Sequence, residues 1–323
     1  PDKLTCNDHV YVSLDADCTE PFLPDDILEG SYGCYDDYEV KITTIPAGNP
    51  VSSILTSANI GQTYKVSIKH LVSGANCWGL VTVEDKLPPV ISNCQDITVT
   101  CAVMDFTPNY LKNTLKFNQA VLVVADCSPV TTTYKDTWVD LPCGAGFNGV
   151  SDLSAYIKRD WLVKDPYNNF STCTQYIYLK RRHVDAVKFP ADITLDCTSS
   201  STEPDVTGAP YFEDFGLKFS MYPNTAYCEL NAIYNDKEFP VCGASYKIIR
   251  TWTVYDWCLP TNPGPTGVLN PVMFTQVIKV TDSQGPSFTC PAALTVSTDV
   301  YNCCGTINLP DVIVMDNCSK LSS

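Results

Sequence analysis

The stretch RDWLVKD at residues 159–165 returns as RTWTVYD at residues 250–256. Arg, Trp, Val and Asp keep the same spacing in both copies, and this alternation is typical of a β-strand with one buried face. Each copy is followed by a second strand-like segment, TQYIYL (174–179) and TQVIKV (275–280). The chain therefore contains the same pair of predicted strands twice.

Two further echoes extend the repeat towards both ends of the chain. DITVTC (96–101) is matched by DITLDC (192–197), and LTCNDHVYVSLDADC…LPDD (4–26) resembles FTCPAALTVSTDVYNCC…LPDV (288–312) with one residue inserted. Echoes that recur in one order indicate internal duplication. The spacing of the repeats corresponds to one small β domain and is too long for a helical solenoid repeat.

The sequence predicts an all-β fold of tandem immunoglobulin-like β-sandwich domains joined by short proline-containing linkers. Period-two alternation rich in β-branched and aromatic residues recurs along the chain, which is typical of sandwiches. Prolines mark the expected joints, in DKLPPV, KFPAD and DSQGPS. The chain stops partway through a fourth repeat, so we interpret it as a segment of a longer polypeptide. The predicted domains are 1–86, 87–186, 187–284 and the N-terminal part of a further repeat, 285–323.

Charge and hydropathy argue against two classes of partner. The 323 residues contain 21 Lys and Arg against 36 Asp and Glu, a net charge of −15. Such a surface repels phosphate backbones and anionic lipids, so we expect no nucleic-acid binding. No apolar run approaches the roughly 20 residues that span a bilayer, so we expect no membrane insertion.

Seventeen cysteines indicate an extracellular or cell-surface protein, because thiols in the cytosol stay reduced. Zinc sites would need Cys-x-x-Cys or Cys/His clusters, which the spacing and the three histidines do not provide. The cysteines fall into matching sets in successive domains. We predict disulfides within the domains, formed by Cys6, Cys18, Cys34, Cys77, Cys101, Cys127, Cys143, Cys173, Cys197, Cys228, Cys242, Cys258, Cys290 and Cys303.

The pairing of these cysteines is only partly suggested by their order. In the first domain we expect a local Cys6–Cys18 bridge with Cys34–Cys77, and Cys290 with Cys303 or Cys304 would echo the local bridge. Connectivity in the second and third domains stays open. The partners of Cys94 and Cys304 also stay open, and the partner of Cys318 is expected beyond Ser323.

The motif R-x-W-x-V-x-D…C-T-Q-x-I-x-L, followed by P-P-x-I-x-x-C-x-x-D-I-T-V-x-C, resembles the hyalin-repeat (HYR) and related immunoglobulin-like modules. These modules occur in tandem in giant surface proteins of gliding, type IX-secreting bacteria, and the block at residues 6–38 also resembles one of them. The resemblance covers nearly the whole chain. It implies a segment of a secreted fibrous protein or adhesin without catalytic activity. Two loops depart from the pattern, 139–152 and 258–274, and are candidate partner contacts.

Several residues carry alternative interpretations. We expect Trp161 and Trp252 in the domain cores, each sharing its strand face with an arginine, Arg159 or Arg250, that pairs with an aspartate of a neighbouring strand. The histidines are expected to be solvated or hydrogen-bonded. No catalytic or cofactor-binding residue is predicted, although adjacent acids such as Asp25 and Asp26 do not by themselves exclude glycosidase chemistry.

Calcium is the one cofactor that the sequence leaves open. Glu84, Asp85 and Asp282 lie at predicted joints, where hard oxygen ligands could bind the ion and stiffen a rod. The alternative is that these acids are solvated and keep a secreted fibre soluble. No EF-hand or strict cadherin-type ligand run is present.

The sequence therefore favours a structural repeat segment of an extracellular bacterial filament or adhesin, used for attachment, capture or surface motility. We expect self-association into a homo-oligomeric fibre or bundle, with the surface of another cell or a substrate as the target. The alternative is a monomeric stalk, or an array of carbohydrate- or protein-binding modules, attached to a secreted enzyme.

Overall fold

A computed structural model describes residues 3–30, 34–199, 201–222, 228–242, 244–259, 269–301, 303–305 and 307–318. Within these ranges the chain is built of β-strands with two short α-helices and five 3-10 turns, which confirms the predicted all-β class. No helix among the described residues is long and apolar enough to cross a membrane. The chain divides into two compact units. The first comprises Pro1–Val99, Asp105–Leu141 and Ala155–Leu179, and the second comprises Thr100–Met104, Pro142–Ser154 and Lys180–Ser323.

Thirteen strands and one helix lie wholly or mostly in the first unit. They are β1 (His9–Ser13), β2 (Thr19–Pro21), β3 (Tyr38–Thr44), β4 (Pro50–Val51), β5 (Ile54–Thr56), β6 (Thr63–His70), β7 (Asn76–Glu84), β8 (Val90–Ile91), β9 (Ile97–Thr100), α1 (Pro108–Asn113), β10 (Val124–Ala125), β11 (Thr131–Asp140), β12 (Leu153–Lys164) and β13 (Phe170–Lys180). They form a five-stranded sheet in the order β1-β7-β6-β3-β4 and a four-stranded sheet in the order β11-β12-β13-β9. Two-stranded pairs, β2–β5 and β8–β10, complete the unit.

The second unit contains one four-stranded sheet and two short strand pairs among its described residues. Its elements are β14 (Ile193–Asp196), α2 (Pro204–Thr207), β15 (Tyr211–Asp214), β16 (Leu217–Ser220), β17 (Leu230–Pro240), β18 (Tyr246–Asp256), β19 (Val272–Thr281), β20 (Ser287–Thr289) and β21 (Ile313–Met315). The four-stranded sheet has the order β14-β19-β18-β17, with β14 parallel to β19. The pairs β15–β16 and β20–β21 are antiparallel.

One strand order recurs in all three large sheets. In each sheet the strand that comes first in the chain (β1, β9 or β14) lies beside the strand that comes last (β7, β13 or β19). Next in the sheet come β6 and β3, β12 and β11, or β18 and β17. Each of these sheets draws its strands from one predicted domain, while the domain boundaries themselves stay a prediction. The tandem repeat read from the sequence is therefore present in the topology.

The cores follow the alternation of the strands. In β12 and β18 buried and partly exposed residues alternate over most of the strand, because successive side chains of an extended chain point to opposite faces. A cluster that includes Ile42, Val66 and Val81 fills the interior beneath the five-stranded sheet. In the second unit Phe212, Leu230 and Val254 belong to the corresponding cluster.

Candidate functional site

The strand RDWLVKD carries a buried polar network in the first unit. Arg159 is fully buried and donates from Nε and Nη2 to the two carboxylate oxygens of Asp136, at 2.7 and 2.8 Å. Its guanidinium carbon lies 4.3 Å from the ring centroid of Tyr134. Two residues further on, Trp161 donates from Nε1 to Oε1 of Gln175 at 3.2 Å. The guanidinium makes a bidentate ion pair with the carboxylate and stacks on an aromatic ring, so this arginine has a structural role in the core.

The second unit contains the same network at equivalent positions. Arg250 donates to the two carboxylate oxygens of Asp236 at 2.8 and 2.7 Å, and its guanidinium carbon lies 4.4 Å from the ring centroid of Tyr234. Trp252 donates to Oε1 of Gln276 at 3.2 Å. The expectation that these Arg and Trp residues are structural, with an aspartate partner on a neighbouring strand, is confirmed.

The glutamines of this network were not singled out from the sequence. Nε2 of Gln276 donates to the carbonyl oxygens of Ala191 and Thr207, at 2.9 and 2.7 Å, and Gln175 ties two loop carbonyls in the same way. The available signal was the Thr-Gln pair in both TQYIYL and TQVIKV. A polar residue repeated at a core position indicates a loop anchor, because a buried amide must find partners.

Six disulfides are formed among the described residues. They are Cys6–Cys77, Cys18–Cys127, Cys94–Cys173, Cys101–Cys228, Cys143–Cys258 and Cys197–Cys318. Four cysteines predicted to be bonded, Cys34, Cys242, Cys290 and Cys303, are exposed thiols in the described part of the chain, as is Cys304. This number of disulfides is typical of an extracellular or secreted protein.

The predicted pairing within the first domain is wrong. Cys6 and Cys18 flank β1, and a five-residue strand alone spans about 16 Å, whereas bonded cysteines have Cα atoms within about 7 Å. Because the first strand lies beside the last, Cys6 reaches Cys77 on β7 instead. This bond also excludes Cys34–Cys77. The echo of the local bridge, Cys290 with Cys303 or Cys304, is likewise not formed.

The expectation that the disulfides lie within domains holds for only two of the six. Cys6–Cys77 and Cys94–Cys173 each lie within one predicted domain. The other four join cysteines of successive predicted domains, with sequence separations between 109 and 127 residues. Cys318 pairs with Cys197, so its expected partner beyond Ser323 is also a wrong prediction. We call these four bonds the inter-domain staples.

Next to the staple Cys18–Cys127 lies a cluster of three carboxylates, Asp85, Asp126 and Asp165, with ligand oxygens within 4.8 Å of one another. Asp165 accepts hydrogen bonds from the backbone amides of Tyr167 and Asn169, at 2.9 and 2.8 Å. Asp85 accepts from Leu87 and Ser128, and Asp126 from Cys127. These are the described oxygens best placed to hold a divalent cation, because calcium prefers carboxylate ligands.

Electrostatic repulsion is concentrated on Asp126. Its Oδ2 is buried without a hydrogen-bond partner among the described residues. Burial raises the pKa of this carboxyl, and the nearby charges of Asp85 and Asp165 raise it further. No ion pair joins any of the three to a basic side chain in the part of the chain that the structure describes.

Of the three predicted calcium candidates, only Asp85 belongs to this cluster. Glu84 forms an ion pair with Lys86. Asp282 accepts a hydrogen bond from the amide of Gln284 at 3.3 Å and lies in no described group of three ligands. Calcium binding therefore stays a prediction, and Asp126 and Asp165 are members of the cluster that the sequence did not bring forward.

In the second unit a cluster of opposite charges surrounds His183. Its Nδ1 lies 2.7 Å from the buried Asp256, and its Nε2 lies 2.9 Å from Asp152. Burial lowers the pKa of His183, but the hydrogen bonds and charges of the two aspartates outweigh it and leave the pKa above its usual value. Arg181 in the same segment pairs with Glu229.

All three histidines are hydrogen-bonded, as expected. His9 lies 2.7 Å from the hydroxyl of Thr82, and His70 lies 2.8 Å from that of Ser73. His183 has the partners given above. Asp25 accepts from the hydroxyl of Tyr35, and Asp26 accepts from the amide of Leu23 at 2.6 Å.

The two loops proposed as partner contacts have different outcomes. In the 139–152 loop Cys143 is held by its bond to Cys258, and the amide of Leu153 donates to the carbonyl of Ala145 at 2.9 Å. Part of this loop is therefore held by contacts within the chain, and its role as a partner contact stays a prediction. Most of the 258–274 loop, residues 260–268, lies outside the described residues.

Comparison with known proteins gives a weak likeness to cadherin ectodomains. The chain is 11% identical to Drosophila N-cadherin EC1-3 over 85% of this chain and 98% of that chain (TM-score 0.25), and 12% identical to the human desmocollin-1 ectodomain over 86% and 61% (TM-score 0.21). The chain is 13% identical to human mucin-like protocadherin EC1-2 over 55% of this chain and 98% of that chain (TM-score 0.21). No protein-family model and no curated protein matched. These scores carry no argument about function, so the fold assignment rests on the sheets described above.

Proposed function

We propose that this chain is a non-catalytic structural segment of an extracellular bacterial filament or adhesin, and that it bears tension during attachment, capture or surface motility. The observation that carries the proposal is the set of inter-domain staples. A disulfide within a domain protects that domain alone. A disulfide between successive domains passes force from one domain to the next without loading the intervening polypeptide.

The staples overlap along the sequence. Cys101 precedes Cys127, and Cys197 precedes Cys228, so each staple begins before the previous one ends. A covalent path therefore crosses from Cys18 to Cys127, returns 26 residues to Cys101, crosses to Cys228, returns 31 residues to Cys197 and crosses to Cys318. Only 57 backbone residues lie on this path, against 300 along the chain between Cys18 and Cys318.

The difference sets how far the segment can extend. At about 3.5 Å per extended residue, the stapled path reaches about 200 Å when every domain is unfolded, and the reduced chain reaches about 1,050 Å. Each staple also closes a loop of more than 100 residues, which stabilises the folded state by about 4.7 kcal/mol in the chain-entropy model. Both effects suit a protein whose task is to hold length under load.

Exposed edges and aromatic side chains support the self-association part of the proposal. β11 is an edge strand, and nine of its ten residues are exposed, so its backbone groups can pair with another strand. On the first sheet Tyr11 and Trp78 are about 60% exposed, and Nζ of Lys65 lies 4.6 Å from the ring centroid of Trp78. Exposed aromatic residues of this kind are enriched at protein interfaces.

The test is single-molecule extension of the chain held by its two ends. Without reductant we expect complete unfolding to separate Cys18 and Cys318 by about 200 Å, and with a thiol reductant by about five times as much. Extension to the full reduced length without reductant would contradict the proposal. Electron microscopy of the native parent protein tests the assembly: fibres of several parallel copies are expected, and a single beaded string attached to an enzyme would refute it.

A further inference from the structure

The outer face of the five-stranded sheet carries a charge opposite to that of its predicted domain. Residues 1–86 contain 13 Asp and Glu against five Lys and Arg, a net charge of −8. Three of the five basic residues, Lys41 on β3 with Lys65 and Lys69 on β6, are exposed and alternate with residues of the core. Because alternate side chains of a strand share one face, these lysines lie together on the outside of the sheet. We call the outer face of β1, β7, β6 and β3 the lysine face.

Few acidic side chains balance the lysine face. Glu39 lies opposite Lys69 in the sheet register, and Glu84 at the end of β7 forms an ion pair with Lys86. None of the three lysines of the face forms an ion pair within the described part of the chain. The lysine face is therefore positive, while the rest of the predicted domain is strongly negative.

Exposed aromatic side chains share this face with the lysines. Trp78 lies opposite Ser67 on β6, and Ser67 lies opposite Lys41 on β3, so these three residues form one row across the sheet. Nζ of Lys65 lies 4.6 Å from the ring centroid of Trp78, and Tyr11 lies on the neighbouring β1. Trp and Tyr are enriched at the centre of protein interfaces. The four strands cover about 15 Å by about 30 Å, which suits a small, transient interface.

The opposite charge is concentrated around β2 of the same predicted domain. Asp15 and Asp17 precede this strand, Glu20 lies on it, and Asp25 and Asp26 follow it. We call these five exposed or partly exposed residues the acidic patch. Burial raises the pKa of Glu20, and the charges of Asp15, Asp26 and Asp17 raise it further. No described basic side chain forms an ion pair with the patch, so a cation placed against it would relieve repulsion.

The lysine face and the acidic patch are separated within one chain. Ser13 lies beside Glu84, so the chain leaves β1 for the acidic patch at that end of the sheet. Lys69 pairs with Asn76 at the other end of β7, about 27 Å away along the strand. The described residues contain no ion pair between the two surfaces. A second copy of the chain supplies an acidic patch that can lie directly against the lysine face.

We propose that the lysine face of one copy binds the acidic patch of a second copy. The inference rests on the proposed function, because it names the surfaces through which the load-bearing chains associate. Two different surfaces meet, so each copy keeps one of them free for a further copy, and a contact that does not close into a ring generates a longer assembly. Complementary charge guides the encounter and sets the register, while Trp78 and Tyr11 supply apolar contact.

The experiment is sedimentation velocity of the whole 323-residue chain, with its exposed thiols alkylated so that no new disulfide forms. We expect concentration-dependent oligomers at about 0.01 M salt that dissociate at about 1 M, because the Debye length falls from about 30 Å to about 3 Å. Lys65→Glu and Glu20→Lys should each weaken association at least about tenfold, and Lys41→Glu should do the same without removing the contact between Lys65 and Trp78. Lys112→Glu is the matched control, because it makes the same charge change on exposed helix α1 outside both surfaces, and it should leave association unchanged.

A mixture of two variants tests whether these two surfaces meet. The Lys65→Glu chain keeps its acidic patch, and the Glu20→Lys chain keeps its lysine face. Each variant alone should stay monomeric, whereas an equimolar mixture should form dimers with an affinity close to that of the unsubstituted chain, and no longer oligomers.

Four results would overturn the inference: oligomers that persist in Lys65→Glu, an equal loss of association in Lys112→Glu, a mixture that stays monomeric, or an unsubstituted chain that stays monomeric at low salt. Binding of the lysine face to immobilised alginate without self-association would assign the face to an acidic glycan instead and overturn it as well. None of these variants changes a cysteine. Intact staples with failed association therefore refute only this contact, whereas missing staples refute the load-bearing function.

Discussion

The cluster around Asp126 and the cluster around His183 differ in the balance of their charges. In both, the aspartate that ends the Arg-x-Trp-x-Val-x-Asp strand, Asp165 or Asp256, takes part. In the first unit Asp165 meets two further carboxylates, whereas in the second Asp256 meets an imidazole. The equivalent aspartate is therefore repelled by its neighbours in the first unit and attracted by its neighbour in the second. A repeated motif therefore fixes where this aspartate lies, while the residues around it decide whether its charge stabilises the fold.

The largest effect is expected from the staple beside the acidic cluster. The double variant Cys18→Ser/Cys127→Ser opens a loop with a sequence separation of 109 residues and should lower the free energy of unfolding by about 4 kcal/mol. Urea denaturation without reductant measures this. Cys143→Ser/Cys258→Ser is the matched control in the second unit and should cost less, because Cys101–Cys228 still joins the same two predicted domains. An equal loss of unfolding free energy in the two double variants would contradict the idea that a second staple between the same predicted domains compensates for the one removed.

The next effect is a loss of stability when Asp256 is neutralised. Asp256→Asn keeps an oxygen for the amide of Cys258 but removes the charged partner of His183. We expect a cost of about 2–3 kcal/mol, since hydrogen bonds to charged groups are the stronger ones. Urea denaturation of the whole chain, compared with the unsubstituted protein, gives the value. An unchanged midpoint would show that the imidazole does not depend on this carboxylate.

The same substitution should have the opposite sign in the acidic cluster. Asp126→Asn relieves repulsion from Asp85 and Asp165 and retains an acceptor for the amide of Cys127. In the presence of a metal chelator at pH 7, we expect the unfolding midpoint to rise by roughly 2 °C. The control is Asp196→Asn, because hydrogen bonds from Ser283 and Thr198 hold the pKa of Asp196 at about 2 and the variant should lose stability. A fall in the midpoint for Asp126→Asn would refute the repulsion.

The smallest effect is the pH dependence that His183 contributes. Its folded pKa is raised, so the protonated ring binds its proton more tightly in the folded state. This stabilisation is present below the ordinary histidine pKa near 6.5 and is lost as the pH rises through the folded value. His183→Gln should therefore cost more stability at pH 5.5 than at pH 8.5 in urea titrations. A cost that is equal at both values would contradict the assignment.

Local patterns explain which parts of the fold the sequence predicted. The strand containing Arg159 and Trp161 was predictable because alternation and repetition are properties of a short stretch, and the aspartate partner followed from the need to pair a buried cation. The disulfide pairing was not, because it depends on which strands lie side by side. Cys6 and Cys18 are close in sequence, but an extended strand separates them.

The acidic cluster was predicted only in part for the same reason. Asp85 stood out because it lies beside a proline-rich joint. Asp126 and Asp165 lie on loops that come close to Asp85 only in the folded unit. They are too far from it in sequence for a local pattern to show the contact. The repeat offered one signal for Asp165, since Asp165 and Asp256 end the two copies of the same motif.

The central claim is that covalent bonds join successive predicted domains, and peptide mapping by mass spectrometry without reductant tests it most directly. The account predicts linked peptides for Cys18–Cys127, Cys101–Cys228, Cys143–Cys258 and Cys197–Cys318. A map in which these eight cysteines are free, or bonded only to cysteines of their own domain, would contradict it.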